Sequence, residues 1–362
     1  MPPSRRDVTI ADVARRAGVS RAQTARALGG YGAVSDAVHS RVVAAAEELG
    51  YRANGLARSV STGRSQSVGV VIGDVENPFF GLSMRGMSDT FREAGYDVLL
   101  MNTGESAQLE VEAIRSLDRK RVDGFVVAPA IAGAWPHLEG LAAAGRPLVL
   151  FDRAVPGLDA STVLVDVSRA SQQLTGTLVA AGHRRLGFVS TLRAGSSRWS
   201  PELRISHTPV GRRIDGMIAA LQEAGLEADP ETIRLGARGA DDVRRIVRDL
   251  ATRAEPVTAL LASDSLIAAA ALEELRELGL SVPGDISLAT FDDPPWAGLV
   301  SPPLTVVSQP VLDAGIAAAR LLLAQMRGEA PLPPPHLEAR LLERGSIGPA
   351  PSWRGRDRAP GD

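Results

Sequence analysis

The chain has no cysteine. That excludes a disulfide framework, a thiol nucleophile and any cysteine metal site. Long apolar runs are also missing. Gly, Asp or Arg interrupts each one well before the roughly 18 residues that a membrane span needs. The opening MPPSRRDVT lacks an apolar core, so no secretory leader is read there and a cytoplasmic protein is expected. No Gly-x-Gly-x-x-Gly follows a strand pattern, and no phosphate loop ending in Gly-Lys-Ser/Thr occurs. An enzyme built on a nucleotide cofactor lacks its binding element, and no cofactor is expected. His39, His137, His183, His207 and His336 are scattered and form no metal spacing. The serines lack the strand-turn-helix setting of a hydrolase nucleophile, so no catalytic residue is assigned.

What is present starts at the N-terminus. Val8 to Arg64 reads VTIADVARRAGVSRAQTARALGGYGAVSDAVHSRVVAAAEELGYRANGLARSVSTGR. Three short helical patterns fit it. The first runs from Ile10 to about Ala17 with Thr9 as N-cap, and Gly18 breaks it. The second starts after Ser20 and ends near Leu28. The third spans Asp36 to Leu49 behind Ser35. Helix, short glycine turn and helix is the signature of a helix-turn-helix. Ile10, Val13, Ala14 and Ala17 make one apolar stripe. Ala22, Ala25 and Leu28 are expected to face it, and Val38, Val42, Val43, Ala46 and Leu49 to close a small core. Arg21, Gln23, Thr24 and Arg26 are then left on or near the open side of the second helix, a face that a DNA major groove accepts.

Charge sharpens that reading. Residues 1–66 hold ten arginines and no lysine against five acidic residues, a net of +5 on a chain whose total is −2. The remainder therefore sits near −7. A cationic head on an anionic body presents a single nucleic-acid-binding end.

From Val68 the pattern changes to strands that are continuous apolar runs alternating with helices. SVGVVIGD, DVLLMNT, GFVVAPA, PLVLFD and STVLVD form one series. RLGFVST, ETIRLG, TALLAS and ISLATFD form a second, with LTVVSQP and HLEARLLER closing the chain. Such runs predict parallel sheets covered by helices on both faces. At 362 residues and 44% hydrophobic, the chain is long enough for two or three cored domains. The expected division is a head at 1–50 and a linker-rich segment at 51–67. One α/β lobe is expected at 68–166 with 296–328, a second at 167–295 with 329–346, and a disordered tail at 347–362. Ligands of open α/β sheets bind beyond the C-terminal strand ends, so two facing lobes can close on a small molecule.

An ordered series of motifs resembles the lactose-repressor family of bacterial transcriptional regulators. V-T-I-x-D-V-A-x-x-A-G-V-S opens it, followed by A-A-A-E-E-L-G-Y-R-x-N-x-x-A-R-S. NPFF at 77–80, GHRRLGFVS at 182–190, R-x-x-G at 213–216, PGDISLATFDD at 283–293 and PPLTVVSQP at 302–310 complete it. The resemblance implies an α/β fold: a three-helix head, a hinge helix and a two-lobed core like that of periplasmic binding proteins. It further implies a homodimer or dimer of dimers on a roughly palindromic double-stranded operator. Arg21 and Ala22 stand where the family reads sequence, and Arg26 matches its S-R arginine. Thr9, Ser20, Gln23 and Thr24 stand where phosphate is touched or the helix supported. Asn54, Leu56, Ala57 and Arg58 match the hinge helix, with Leu56 at the position of a minor-groove wedge.

The resemblance also places a small-molecule effector, a carbohydrate above all, between the lobes. Arg213 and Asp292 match effector contacts, Phe80 an aromatic or apolar wall, and Asp152 a polar contact. Phe79, Asn102, Asp166 and Asp264 fall at or near strand ends where they would join that cleft. Ser263 departs from the family's asparagine. The function implied is an allosterically controlled repressor with no membrane partner. The competing reading, an exported sugar-binding protein of a transporter, shares the two lobes but has no use for the cationic head.

Overall fold

The computed structural model describes residues 8–29, 32–51, 64–130, 135–330, 333 and 335–351. The chain divides into two compact units, 1–67 with 121–123, and 68–120 with 124–362.

Among the described residues, the first unit holds three helices, α1 (Ile10–Ala17), α2 (Arg21–Gly29) and α3 (Asp36–Glu48). The Asp12 carboxylate accepts both the Thr9 amide, at 3.0 Å, and the Thr9 hydroxyl, at 2.6 Å, which fixes the start of α1. Gly18 ends it at φ 66, a backbone shape that costs little without a Cβ. Ser20 and Gln23 cap α2 reciprocally: the Ser20 amide donates to Gln23 Oε1 and the Gln23 amide to Ser20 Oγ. Val13, Ala17, Ala27, Val42, Ala45 and Ala46 form the core. The expectation that Ala22 and Ala25 face inward is corrected. Ala22 is exposed, Ala25 is half-buried, and the fully buried face of α2 is Thr24 and Ala27. With so few apolar residues in α2, its phase rests on Thr24, whose hydroxyl is satisfied locally by the Ser20 carbonyl at 3.0 Å.

The second unit contains two sheets. In the first, β1 (Ser67–Ile72), β2 (Asp97–Asn102), β3 (Gly124–Val127), β4 (Leu148–Phe151) and β5 (Ser161–Val163) lie in the order β2-β1-β3-β4-β5. The pairings β1 to β3, β3 to β4 and β4 to β5 are parallel. Helices α4 (Pro78–Glu93), α5 (Ala107–Arg119), α6 (Pro136–Ala143) and, from far along the chain, α11 (Val311–Arg327) accompany it. The second sheet comprises β6 (Leu186–Val189), β7 (Ile233–Arg234), β8 (Ala259–Ala262), β9 (Ser287–Phe291), β10 (Thr305–Ser308) and β11 (Arg340–Leu342). Its order is β11-β10-β9-β8-β6-β7, parallel except for β11 against β10. Its helices are α7 (Ser168–Ala180), α8 (Pro209–Glu223), α9 (Gly239–Thr252) and α10 (Ser265–Glu277). β3, β4, β6, β8 and β9 are buried along their whole length, as strands covered on both faces must be.

Glycines set the tightest helix contacts. A Cβ on Gly315 of α11 would overlap the Ser83 carbonyl of α4, and one on Gly216 of α8 would overlap the Ser168 carbonyl of α7. The glycine of R-x-x-G is thus a packing residue.

Two expected boundaries move. Residues 296–308, expected in the first lobe, belong to the second: β10 pairs with β9 and β11, and Ala297, Leu304 and Val306 sit in the second lobe's core. The crossover back to the first lobe falls between Ser308 and Val311, because α11 packs on that lobe's core. The expected disordered tail starts too early. Ile347 packs on the second lobe, the Gly348 carbonyl lies 3.1 Å from His183 Nε2, and the Ala350 amide donates to the Ala181 carbonyl at 2.8 Å.

Candidate functional site

The C-terminal strand ends of both sheets meet around a cavity of about 680 Å³, within the size of small-molecule sites. Asn77 begins the first wall by accepting the Phe79 amide at 3.0 Å and capping α4. Phe79 and Phe80 follow, edge to face at 5.3 Å, and Phe79 lies 5.8 Å from Phe151. Thus the NPFF motif lays an aromatic patch beside the end of β4.

Two Phe-Asp corners face the cavity, one per lobe. Asp152 follows β4 at φ 66 and Asp292 follows β9 at φ 70. Each amide still donates into its sheet at 2.9 Å, Asp152 to Val163 and Asp292 to Val307. Left-handed backbone is tolerated by aspartate better than by most residues, and its use in the same place twice suits a functional requirement.

Arg213, on α8, faces three carboxylates: Asp152, Asp264 and Asp292. Its guanidinium carbon sits 4.7 Å from the Phe291 ring centroid, and Nη1 donates to the Ser263 carbonyl at 2.7 Å. Its buried Nε has no hydrogen-bond partner. Asp264 spends one oxygen capping α10, accepting the amides of Leu266 and Ile267 at 3.0 Å each. Asp292 accepts from Gln309 Nε2 at 2.6 Å. Burial pushes Asp292 up to about 6, against the pull of Arg213 and Gln309. Burial also raises Asp152 and Asp264. Arg213 does not balance these three acids by itself; Asp152 also has Arg153 Nε at 3.4 Å.

A second ion pair lies on the first-lobe side. Arg153 donates to both oxygens of Glu105, at 2.5 and 2.9 Å, and to the Pro129 carbonyl at 2.9 Å. Glu105 is itself left-handed, at φ 60.

Of the expected effector residues, Phe79, Phe80, Asp152, Arg213, Asp264 and Asp292 line this cavity. Asn102 and Asp166 lie elsewhere, which corrects their assignment. Asn102 is exposed at the end of β2 and ties a loop by accepting the Val75 amide at 3.0 Å. Asp166 is exposed at a crossover between lobes and accepts the Ser168 amide at 3.0 Å. Sequence reasoning missed Arg153, Glu105 and Gln309. Arg153 directly follows the chosen Asp152 and Gln309 lies inside a quoted motif, so both had a signal. Glu105, in a turn after β2, had none.

In the head, Arg21 and Ala22 are exposed at the start of α2, and Gln23 and Arg26 are half-buried. Arg26 Nε donates to the Ala22 carbonyl at 3.2 Å. Ser20 and Thr9 are exposed capping residues. Thr24 is fully buried, so of its two expected roles it supports the helix and does not face DNA. Asn54, Leu56, Ala57 and Arg58 lie outside the described residues. Among the described residues, no helix is long and apolar enough to cross a membrane.

A helix-turn-helix unit in one chain with a two-lobed, cleft-bearing α/β core defines a ligand-responsive DNA-binding regulator. Comparison with known proteins is specific. Residues 9–54 match the model of bacterial regulatory proteins of the lacI family, and residues 175–347 match a periplasmic binding protein-like domain. The ribose operon repressor of Bacillus subtilis is 31% identical over 87% of this chain and 90% of its own. A transcriptional regulator solved with cellobiose is 29% identical, covering 94% of this chain and 99% of that one, with a TM-score of 0.66. The lac repressor dimer bound to operator, at 21% identity, covers 95% of this chain and 100% of that one with a TM-score of 0.79, and so shares the fold. The chain belongs to the lacI family of bacterial regulatory proteins. It is a DNA-binding transcriptional regulator.

Proposed function

We propose that this regulator is a repressor whose grip on its operator is set by a carbohydrate in the interlobe cavity. The observation that carries this reading is the lining itself. Carboxylates of Asp152, Asp264 and Asp292 accept from hydroxyls, the Arg213 fork donates to them, and Phe79 and Phe80 offer an apolar wall to a sugar's C–H face. Ser263 lacks the amide of the family's asparagine, so its contribution is its carbonyl, already engaged by Arg213. The solved relative with cellobiose supports the same ligand class.

Both lobes contribute contacts, so a sugar favours the arrangement in which they converge. It shifts the population only by its difference in affinity between arrangements. A 100-fold change in operator affinity requires about 2.7 kcal/mol of such coupling. In the head, exposed Arg21 supplies the fork that reads guanine, and Ala22 a methyl that fits thymine. Two heads related by a two-fold axis fit a palindromic operator, so the working form is a cytoplasmic homodimer.

The test is calorimetric titration of the full chain with free sugars, ribose and cellobiose first, followed by gel retardation of the fragment upstream of its own gene with and without any sugar that binds. Binding that changes retardation supports the reading. Sugars that bind without altering retardation sink the proposed control.

A further inference from the structure

The charge on the cavity wall has a direction. Arg213 confronts three carboxylates, Asp264 and Asp292 buried and Asp152 partly buried. Among the described lining residues, the other cation in the wall's interior is Arg153, already held by two hydrogen bonds to Glu105 and by Asp152, whose carboxylate lies 3.4 Å from its Nε. Gly73 makes room for that pair: a Cβ at this position would overlap the Glu105 carboxylate. Arg193 and Arg238 also line the cavity but are exposed, and water and salt screen them. An entering phosphate or carboxylate therefore meets net negative charge in the least screened part of the site, and the arginine placed to answer it is occupied. A neutral polyol brings hydroxyl donors to the same carboxylates at no such cost.

We propose that Glu105 is a resident counter-ion that makes the cleft select free sugars against their phosphate esters. This rests on the carbohydrate reading and adds to it a place in metabolism. The regulator senses its sugar before a kinase-type reaction consumes it, because the phosphorylated product is refused. Glu105 acts through Arg153 and is a specificity-determining residue without being a sugar contact.

The experiment compares the full-length wild type with Glu105→Gln and with the double variant Glu105→Gln/Arg153→Gln. The probes are inorganic phosphate, ribose and glucose, and the terminal phosphate esters of the two sugars. Binding is read by calorimetry and folding by thermal melting. In the wild type, any sugar that binds should do so at least about tenfold more tightly than its ester, a gap of roughly 1.4 kcal/mol. Glu105→Gln removes the bidentate charge on Arg153, leaving Asp152 as its single carboxylate neighbour, and should bind inorganic phosphate at least about tenfold better than the wild type, and the double variant should lose that gain.

A wild type that takes an ester as well as the free sugar overturns the proposal, and this comparison needs no variant to fold. A folded Glu105→Gln with no gain for phosphate overturns it too. If the phosphate gain appears while no free sugar binds either protein, Glu105 keeps its role as counter-ion and the carbohydrate reading is what fails.

Discussion

Arg213 concentrates the chemistry of the cleft in one side chain. Its fork is fixed by the Ser263 carbonyl, its face by Phe291, and its charge by three aspartates. Arg213→Lys keeps the charge but loses the planar fork. We expect the chain to fold and to retard operator DNA as before, with sugar affinity down at least about tenfold by calorimetry; unchanged affinity would remove Arg213 from the ligand contacts. Asp292 makes a prediction about pH. Burial raises it to about 6 in the folded chain, above the value near 4 of an unfolded carboxyl. The native state then holds this proton more tightly than the unfolded one. Its contribution is complete below about pH 4 and is lost as pH rises toward 6. Across that window the slope approaches about 1.4 kcal/mol per pH unit. Asp292→Asn should flatten that part of the stability curve, as read by denaturant titration at several pH values. An unaltered slope would assign the proton elsewhere.

At the scale of elements, the helices do two different jobs. α4 and α11 come from opposite ends of the second unit yet touch at backbone distance, because Gly315 leaves no Cβ to strike the Ser83 carbonyl. Gly315→Ala should force them apart and destabilise by about 1–3 kcal/mol, the usual cost of overpacking; a melting temperature equal to the wild type's would show that the helices yield freely. α2 is built differently. Its inner face is small and its start is pinned by the Ser20–Gln23 capping box, which leaves exposed Arg21 at the helix end that reaches base edges in such motifs. Arg21→Ala should cost about 1–3 kcal/mol against the preferred operator and relax base preference, measured by retardation on a randomised half-site library. A variant with undiminished selectivity would move specificity to another residue.

For the whole molecule, charge separation and chain topology matter most. Residues 1–66 carry +5 on a chain of −2, so deleting them should abolish DNA retardation while leaving sugar binding within a factor of two by calorimetry. Residual specific retardation by the truncated chain would contradict a single DNA-binding end. The two lobes are joined by crossings near residues 163–168, 308–311 and 327–340. With three connections, neither lobe is a simple stretch of sequence, and the structure corrects the boundary drawn at 296. LTVVSQP reads as a strand, but nothing in its composition says which sheet it completes.

Local information in the chain sufficed for much of this. Apolar runs of strand length, Gly18, the Ser20 cap and the arginine-rich first 66 residues specify the helix-turn-helix and the alternating lobes, because period, capping and charge are properties of neighbouring residues. The choice of Asp152, Arg213 and Asp292 also followed from motifs. What only the folded chain decided were matters of long-range placement. Asn102 and Asp166 end or follow strands much as Asp152 does, yet they turn to nearby amides outside the cavity. Thr24 looks like a surface residue until its hydroxyl finds the Ser20 carbonyl and the side chain packs inside. Glu105 and Arg153 are 48 positions apart and follow β2 and β4, which have β1 and β3 between them; their side chains meet across the strand ends of the sheet. A pairing of that kind depends on the order of the strands, and no local pattern encodes it.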